Sequence, residues 1–512
     1  MALPKGLGSV EDLVSRIKSA RERWELWRSL HQEAYDYSMP DRETYRFHSP
    51  GQRKNRHVFD STATLGISQF SSRIQGGMVP PWQQWMDFTA GTQIPKEDRD
   101  KVDAQLKDAT DIFFNHLNQS NFSTEISPAL KDLAVGTGAI MVEELPFGSD
   151  KVLQFTNVPL SELYPECPPG SIVESAWRKQ QIQVRHILRL WPDAELPAAL
   201  AKSIAKEPTK EITIWNGMLF NPEDKKYWQV VFYEAEKAVL FTQAFNKKRL
   251  IVFRWDVTPG EVFGRGPIIQ SLPDIRTLNK ADEFILQNAA LQISGVYTGV
   301  DDGIFNPHTV RIAPGSVIPV ANNGTQNPSI QPLTPSGNLQ LGELLMEQRR
   351  QNVRKALFSD PLGDFQDPVR SATEMQIRQQ ELLRTSGAQI SRQKTEMVEP
   401  IVAAVAEILQ ARGLLPVFRV DGEEVTIKPT SPLAKAESLE AFNNTQMFMS
   451  TLQSFMPFEA IAGSVKIEDL PKSMQEQLDV DPALIRSEEE RAELAEAAQA
   501  AAQQMGGQDV AQ

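Results

Sequence analysis

Six histidines and one cysteine are the residues of this 512-residue chain best suited to metal binding or nucleophilic chemistry. A zinc site needs its ligands at short, fixed spacings, and these histidines have none. They are His31, His48, His57, His116, His186 and His308. Cys167 is the single cysteine, which excludes an intrachain disulfide and a thiolate cluster. The sequence therefore predicts no metal site, and we interpret Cys167 as a bystander thiol in a proline-flanked loop.

Motifs for phosphate and acyl chemistry are also missing. The chain has neither the G-x-x-x-x-G-K-[ST] loop that cradles phosphates nor a G-x-S-x-G nucleophile elbow. Gly136-Thr-Gly138 lacks the third glycine and the preceding strand of a dinucleotide site, so we expect a helix end leading into a strand. Asp301-Asp302 fits a turn better than a cation site, because adjacent extended residues point to opposite faces. No catalytic residue and no cofactor site is predicted.

Composition indicates a folded protein of two to four domains, with 41% hydrophobic and 23% charged residues. No signal peptide and no apolar run of about 18 residues is present, so no membrane span is expected. The net charge is −13, and residues 461–512 carry eleven acids and four bases. The remainder is only mildly acidic, whereas proteins that clamp duplex DNA are usually basic. If this protein meets DNA, it does not hold it tightly.

The first half of the chain predicts helices followed by strands. Apolar residues at helical spacing predict helices over 9–38, 61–78, 96–117 and 127–135, with Ser9 and Asp12 as a capping pair. Trp82, Trp85 and Phe88 are expected as core anchors. A strand is expected over 139–144. Residues 211–256 predict an antiparallel meander with turns at Asn216-Gly217 and Asn221-Pro222.

The second half predicts two similar helices that enclose a strand-and-turn module. The helices span about 272–294 and 339–358, the first capped by Ser271 and Asp274, and residues 295–337 lie between them. Such an arrangement indicates a stalk with a head at its end. The second helix carries a basic cluster, Arg349, Arg350, Arg354 and Lys355.

A short acidic loop containing Asp360, Asp364 and Asp367 follows the second helix. The longest helical pattern, 371–412, comes next, and we expect Gly387 to weaken it and Pro400 to kink it. Beyond it we expect a hairpin over 417–427, helices over 432–480, and an acidic, flexible tail over 481–512. The predicted fold class is α+β, mainly helical.

Several strings, in this order of elements, resemble the portal (head-to-tail connecting) proteins of short-tailed, podovirus-type bacteriophages. The strings are 58–62 (VFDST), 76–81 (GGMVPP), 132–138 (DLAVGTG), 260–267 (GEVFGRGP), 272–279 (LPDIRTLN) and 371–375 (SATEM). The likeness covers roughly residues 8–460. It implies a structural protein rather than an enzyme, which forms a ring of usually twelve copies around a central channel.

The resemblance also implies a division of the chain into portal subdomains. These are a wing (1–266), a stem helix (267–294), a clip (295–337), a second stem helix (338–358), a tunnel loop (359–370) and a long kinked helix with a helical crown (371–480). It implies a place at one capsid vertex of the virion, with assembly in the host cytoplasm. Implied partners are double-stranded DNA, major capsid and scaffold proteins, terminase, a tail adaptor and internal virion proteins.

Some alternatives stay open. Asp360, Asp364 and Asp367 either repel DNA phosphates in the channel or form a solvated acidic loop. The basic cluster either complements the C-terminal dipole of its helix, which we favour, or contacts DNA or a neighbouring subunit. The whole chain could instead be an internal or scaffold-associated virion protein without a ring. A third alternative is a cytoplasmic enzyme, which would need a pocket with convergent titrating groups.

Overall fold

The computed structural model of the chain describes residues 3–42, 54–91, 93–168, 172–294, 297–299, 330–332, 339–359, 387–418 and 425–455, with residues 470 and 474. Helices and antiparallel strands are mixed along these ranges, which confirms the α+β class. Within them no helix is long and apolar enough to cross a membrane.

Four helices open the chain: α1 (Val10–Ser38), α2 (Thr62–Met78), α3 (Lys96–Gln119) and α4 (Phe122–Val135). The predicted capping box of α1 is present, because the Ser9 hydroxyl accepts from the Asp12 N–H while the Asp12 carboxylate accepts from the Ser9 N–H. α4 begins five residues before its predicted start. Of the three expected anchors, Trp85 and Phe88 are buried, but Trp82 is 71% exposed. The expectation for Trp82 is therefore wrong.

Two antiparallel sheets follow the helices. One orders β3 (Leu153–Asn157), β2 (Thr137–Glu144) and β9 (Leu250–Arg254); the other runs in chain order through five strands. These are β4 (Leu163–Glu166), β5 (Ser175–Gln183), β6 (Glu211–Asn221), β7 (Lys226–Tyr233) and β8 (Ala238–Phe245). The meander thus exists over β6–β8, but its expected last strand, β9, pairs with β2 instead. Two short helices, α5 (Ile187–Leu190) and α6 (Ala198–Lys206), join β5 to β6.

One predicted turn is a strand interior. Asn216 and Gly217 lie in the middle of β6, paired with β5 on one side and β7 on the other. A side chain at Gly217 would collide with the buried ring of Trp177 on β5. The glycine therefore makes room for tryptophan packing rather than for a turn. The turn expected at Asn221-Pro222 is confirmed, since β6 ends at Asn221.

As expected, the second half of the chain contains two long helices that pack as a helical hairpin. α7 (Pro267–Ser294) packs against α8 (Leu339–Ala356). Two short strands, β10 (Tyr297–Gly299) and β11 (Ile330–Pro332), lie between the end of α7 and the start of α8 and pair with each other. α7 starts five residues earlier than predicted, so Ser271 is inside the helix and its hydroxyl donates to the Pro267 carbonyl. The capping pair of Ser271 with Asp274 is wrong, because Pro267 already begins the helix. Asp301-Asp302 lies outside the described residues.

The C-terminal part returns to the body. Residues 387–393 are helical, Lys394–Val398 form a π-helical turn, and α9 (Glu399–Ala411) follows. Strand β12 (Val425–Pro429) pairs with β1 (Met86–Ala90). Residues 419–424, which contain the turn of the hairpin expected over 417–427, lie outside the described residues, so that hairpin stays a prediction. A further helix, α10 (Pro432–Phe455), is described. Of the helices expected beyond it, only residues 470 and 474 are described, both helical, and the tail lies outside the described residues.

A single large core connects these parts. Side chains from α1, α2, α4, β2, β9, the base of the α7–α8 hairpin and α9 share it, among them Leu13, Phe70, Ile140, Phe253 and Ile401. A smaller core lies under α5 and α6 against the five-stranded sheet. We call the described residues outside the hairpin and β10–β11 the body.

Candidate functional site at the base of the helical hairpin

Glycines let two backbone segments touch where α7 leaves the body. A side chain at Gly136 would collide with the carbonyl oxygen of Gly264, and one at Gly266 with that of Ala134. The Gly266 N–H donates to the Val135 carbonyl at 2.8 Å. Because backbone cannot yield as a flexible side chain can, only glycine fits this contact. The contact fixes the position at which the hairpin begins.

Asn279 joins α7 to the segment that precedes α2. Its side-chain oxygen accepts from the backbone N–H of Phe59 at 2.6 Å and of Asp60 at 3.3 Å, and its Nδ2 donates to the His57 carbonyl at 2.8 Å. Only 7% of Asn279 is exposed. A buried amide that satisfies three backbone groups ties the two segments together and replaces the water they would otherwise bind.

Arg350 of α8 extends this attachment into an ion-pair cluster, which we call the Arg350 clamp: Arg350, Asp60 and Asp282. Its Nε donates to Asp60 at 2.9 Å, and its Nη2 donates to both oxygens of Asp282 on α7 at 3.0 and 2.9 Å. Burial raises the pKa of Asp60, but hydrogen bonds from Thr62 and Arg350 outweigh it and hold that pKa below its usual value. Burial raises the pKa of Asp282 in spite of Arg350. The clamp connects the body to both helices.

The other predicted basic residues of α8 act differently. Arg349 pairs with Asp274 of α7, so its ion pair stays inside the hairpin. Arg354 donates to Glu347 on its own helix at 3.1 Å, and Lys355 is exposed. Arg354 and Lys355 lie in the last turn of α8, where a cation stabilises the helix dipole. Arg349 and Arg350 lie further back, and carboxylates of the same chain bind them.

The end of α8 is capped and packed against α2. The Ser359 N–H donates to the Arg354 carbonyl at 2.8 Å and the Phe358 N–H to the Lys355 carbonyl at 3.1 Å, a Schellman pattern. Phe358 occupies the left-handed position, with φ of 51°, where glycine is usual. Its ring compensates by packing on Phe70, with centroids 6.1 Å apart. The start of the predicted acidic loop is therefore held in place.

A cleft of about 510 Å³ lies beside the clamp, between α2, α7 and α8. Its charged residues are Asp60, Asp282, Glu347, Arg350 and Arg354, and all five take part in the ion pairs given above. Each carboxylate of the cleft is thus paired with an arginine of the same chain. In the described ranges, no three His, Cys, Asp or Glu residues are grouped to hold a metal ion.

The helix after the acidic loop is attached to β9. Glu396 in the π-helical turn accepts from the Arg254 side chain at 2.8 Å and from its backbone N–H at 2.9 Å. Gln393 donates to the Arg254 carbonyl at 2.7 Å. The turn ends beside Pro400, where the proline lacks an N–H and crowds the preceding turn. The regular α-helix is thus interrupted next to Pro400 by a π-helical turn, and the kink itself stays a prediction. Gly387 is helical, with open space where a side chain would be.

A buried carboxylate lies on α4, four residues before Gly136. Asp132 is fully buried on α4, accepting from the Tyr35 hydroxyl at 2.5 Å and from Arg42 at 2.8 Å. Burial raises its pKa to about 6, although Arg42 and Tyr35 both favour the charged form. His31 on α1 is also buried, which lowers its pKa to about 3 and keeps it neutral. Asp132 therefore holds α1 against α4.

The sequence pointed to only part of this site. Asp360, Asp364 and Asp367 lie outside the described residues, so their grouping stays a prediction. Asn279 ends the string 272–279 that carries the family resemblance, but no role was predicted for it. The Arg254–Glu396 pair was not singled out. Arg254 and Glu396 had no local signal, since 142 residues separate them.

The strings that carry the family resemblance meet in pairs at this site. Residues 132–138 touch 260–267 through the glycine contact, and 58–62 bind 272–279 through Asn279. The family model described as "Bacteriophage head to tail connecting protein" matches residues 10–485. A protein of Bordetella phage BPP-1 named "Probable portal protein" is 24% identical, over 98% of this chain and 94% of its own length. The chain belongs to the bacteriophage head-to-tail connecting protein family.

Proposed function

We propose that this chain is a portal protein, the subunit of a ring at one capsid vertex through which double-stranded DNA is packaged and later ejected. The alignment with the BPP-1 protein over nearly the full length of both chains carries the proposal. The base of the hairpin supports it, because backbone contacts and ion pairs concentrate where a projecting hairpin meets a large body. Such an attachment suits a structural part that bears load.

The portal subdomains then follow the order of elements. The wing is 1–266, the stem consists of 267–294 and 338–358, and the clip is 295–337. The tunnel loop is 359–370, and the long kinked helix with the crown is 371–480. The stem helices correspond to α7 and α8, and the helix beyond the tunnel loop reaches the body at the π-helical turn.

In this proposal DNA passes without tight or sequence-specific binding. The chain carries a net charge of −13, and Asp360, Asp364 and Asp367 would repel phosphates at the tunnel loop. The clip would dock the terminase during filling and the tail adaptor afterwards. The wing would contact capsid and scaffold proteins, and internal virion proteins would be further partners. The role is structural, with no catalytic step of its own.

An internal or scaffold-associated virion protein without a ring is the alternative. The two proposals differ in the symmetry of the particle, because only a portal forms rings with a central hole. The hairpin favours the ring, since its distal half exposes large apolar side chains that an isolated chain leaves in water.

Negative-stain imaging of the purified protein, with native mass measured in parallel, tests the proposal. We expect rings with an open channel and a mass near twelve times 57.3 kDa. Rings that form only when scaffold protein is added also support it and show that assembly is gated. A monomer at high concentration, both with and without scaffold, overturns it in favour of the alternative.

A further inference from the structure

The hairpin is held at its base and again further along, at Arg276, Asn279 and the Arg350 clamp; Arg276 of α7 pairs with Glu33 of α1 at 3.1 Å. The base consists of the glycine contact at the start of α7 and the capped end of α8. At 1.5 Å per residue, Asn279 attaches α7 about 18 Å from Pro267, and Asp282 of the Arg350 clamp about 22 Å from it. A rod attached at two points cannot swing, whereas one attached only at its base can.

Beyond the clamp the hairpin exposes apolar side chains on two flanks. Ile285 of α7 is half-buried against the core, while its neighbours Phe284 and Leu286 are each 56% exposed. Two positions along a helix differ by about 200°, so these two side chains lie on opposite flanks. On α8, Leu344 and Leu345 are 70% and 53% exposed. One partner across a two-fold axis would cover a single flank, whereas two neighbours in a head-to-tail arrangement cover both.

In a head-to-tail arrangement the angle between the two contact surfaces sets the rotation from one copy to the next, and hence the number that closes a ring. The tolerance is small, because rings of twelve and thirteen copies differ by only about 2° per copy. A shift of about 1 Å at the clamp would turn the hairpin by about 2.5° over an arm of about 22 Å. Changes of that size are within what one side chain can cause.

We infer that the Arg350 clamp is a positioning device that fixes the angle between hairpin and body and thereby the copy number of the ring. The inference rests on the proposed ring. Arg350 suits the role because its planar fork binds Asp60 of the body and Asp282 of α7 at the same time. Lysine would keep the charge but lose that geometry.

The adjacent Arg349 provides a matched control. It too pairs with an aspartate of α7, but its ion pair with Asp274 does not reach the body. Arg350→Lys and Arg349→Lys therefore both weaken a contact within the hairpin, and only Arg350→Lys loosens the hairpin from the body. Asp60→Asn loosens the same attachment from the other side and changes no residue of the hairpin.

The test is native mass of full-length rings, where each copy adds 57.3 kDa. We expect Arg350→Lys and Asp60→Asn to give a shifted or broader copy number, or folded monomers that no longer close, while Arg349→Lys matches the unmodified protein. Unchanged copy number in either clamp variant, or an equal change in Arg349→Lys, overturns the inference. If Arg350→Lys does not fold, as judged by circular dichroism, Asp60→Asn decides alone. Absence of rings in the unmodified protein would instead refute the proposed function.

Discussion

Arg254 of β9 and Glu396 of the π-helical turn form an ion pair in which both side chains are buried, 3% and 5% exposed. The guanidinium and the backbone N–H of Arg254 both donate to the Glu396 carboxylate, and the Arg254 carbonyl accepts from the Gln393 side chain. All three contacts come from one turn of helix. The helix that follows residue 386 is therefore attached to the sheet in both position and direction.

Removing Glu396 should be among the most damaging single changes in the body. Glu396→Ala leaves the Arg254 guanidinium buried without its carboxylate, and we expect a loss of about 3–5 kcal/mol in the free energy of unfolding. Urea unfolding followed by tryptophan fluorescence measures it. Glu261→Ala is the control, because its pair with Arg265 is partly exposed and should contribute at most about 1 kcal/mol. Similar losses in both variants would contradict the argument.

Two glycines should respond to alanine in opposite directions. Gly266→Ala places a methyl group against the Ala134 carbonyl, and we expect a loss of more than about 2 kcal/mol or failure to fold. Gly387→Ala meets open space in a helix and should gain about 0.5–1 kcal/mol from lower backbone entropy. Thermal unfolding of both variants checks the pair. A stable Gly266→Ala protein would show that the two backbones do not need their close contact.

Helices were predictable here because their signals are local. The Ser9–Asp12 capping box, the apolar spacing of α1 and α2, and Gly413 after α9 each act within a few residues. The hairpin of α7 and α8 followed from two long helices with turn signals between them. The resemblance to head-to-tail connecting proteins is confirmed for the family.

Strand pairing was harder, because partners lie far apart in the chain. β12 pairs with β1, more than 330 residues earlier, and nothing in its own sequence names that partner. Asn216-Gly217 has the composition of a turn, but the Trp177 ring requires a glycine at that point of the strand. Tertiary packing decided both cases, and no short window of sequence contains it.

Asp132 should make stability depend on pH between about 4 and 6. Burial raises its pKa to about 6 from 3.8, so in this window the folded protein binds a proton that the unfolded chain releases. The contribution of Asp132 to stability is therefore largest below pH 4 and falls as pH rises to 6, by at most roughly 3 kcal/mol. Asp132→Asn removes this term.

The measurement for Asp132 is the difference in unfolding free energy between the unmodified protein and Asp132→Asn at several pH values. Subtraction cancels the other carboxylates, such as Asp60, whose lowered pKa acts in the opposite sense. We expect the difference to fall from pH 4 to 6 and then to level off. A difference that is constant over this range would contradict the raised pKa.

The acidic loop should affect DNA movement through charge alone. If Asp360, Asp364 and Asp367 keep the duplex centred by repelling phosphates, replacing all three with asparagine should slow packaging and ejection at low salt. The effect should shrink as salt rises, because screening shortens the reach of the charges to about 10 Å at 0.1 M. Glu488, Glu489 and Glu490 changed to glutamine remove the same charge from the C-terminal tail and serve as the control. Packaging rate, DNA retention and ejection in assembled particles are the measurements. Equal behaviour of the two triple variants would leave the loop as a solvated acidic segment with no part in guiding DNA.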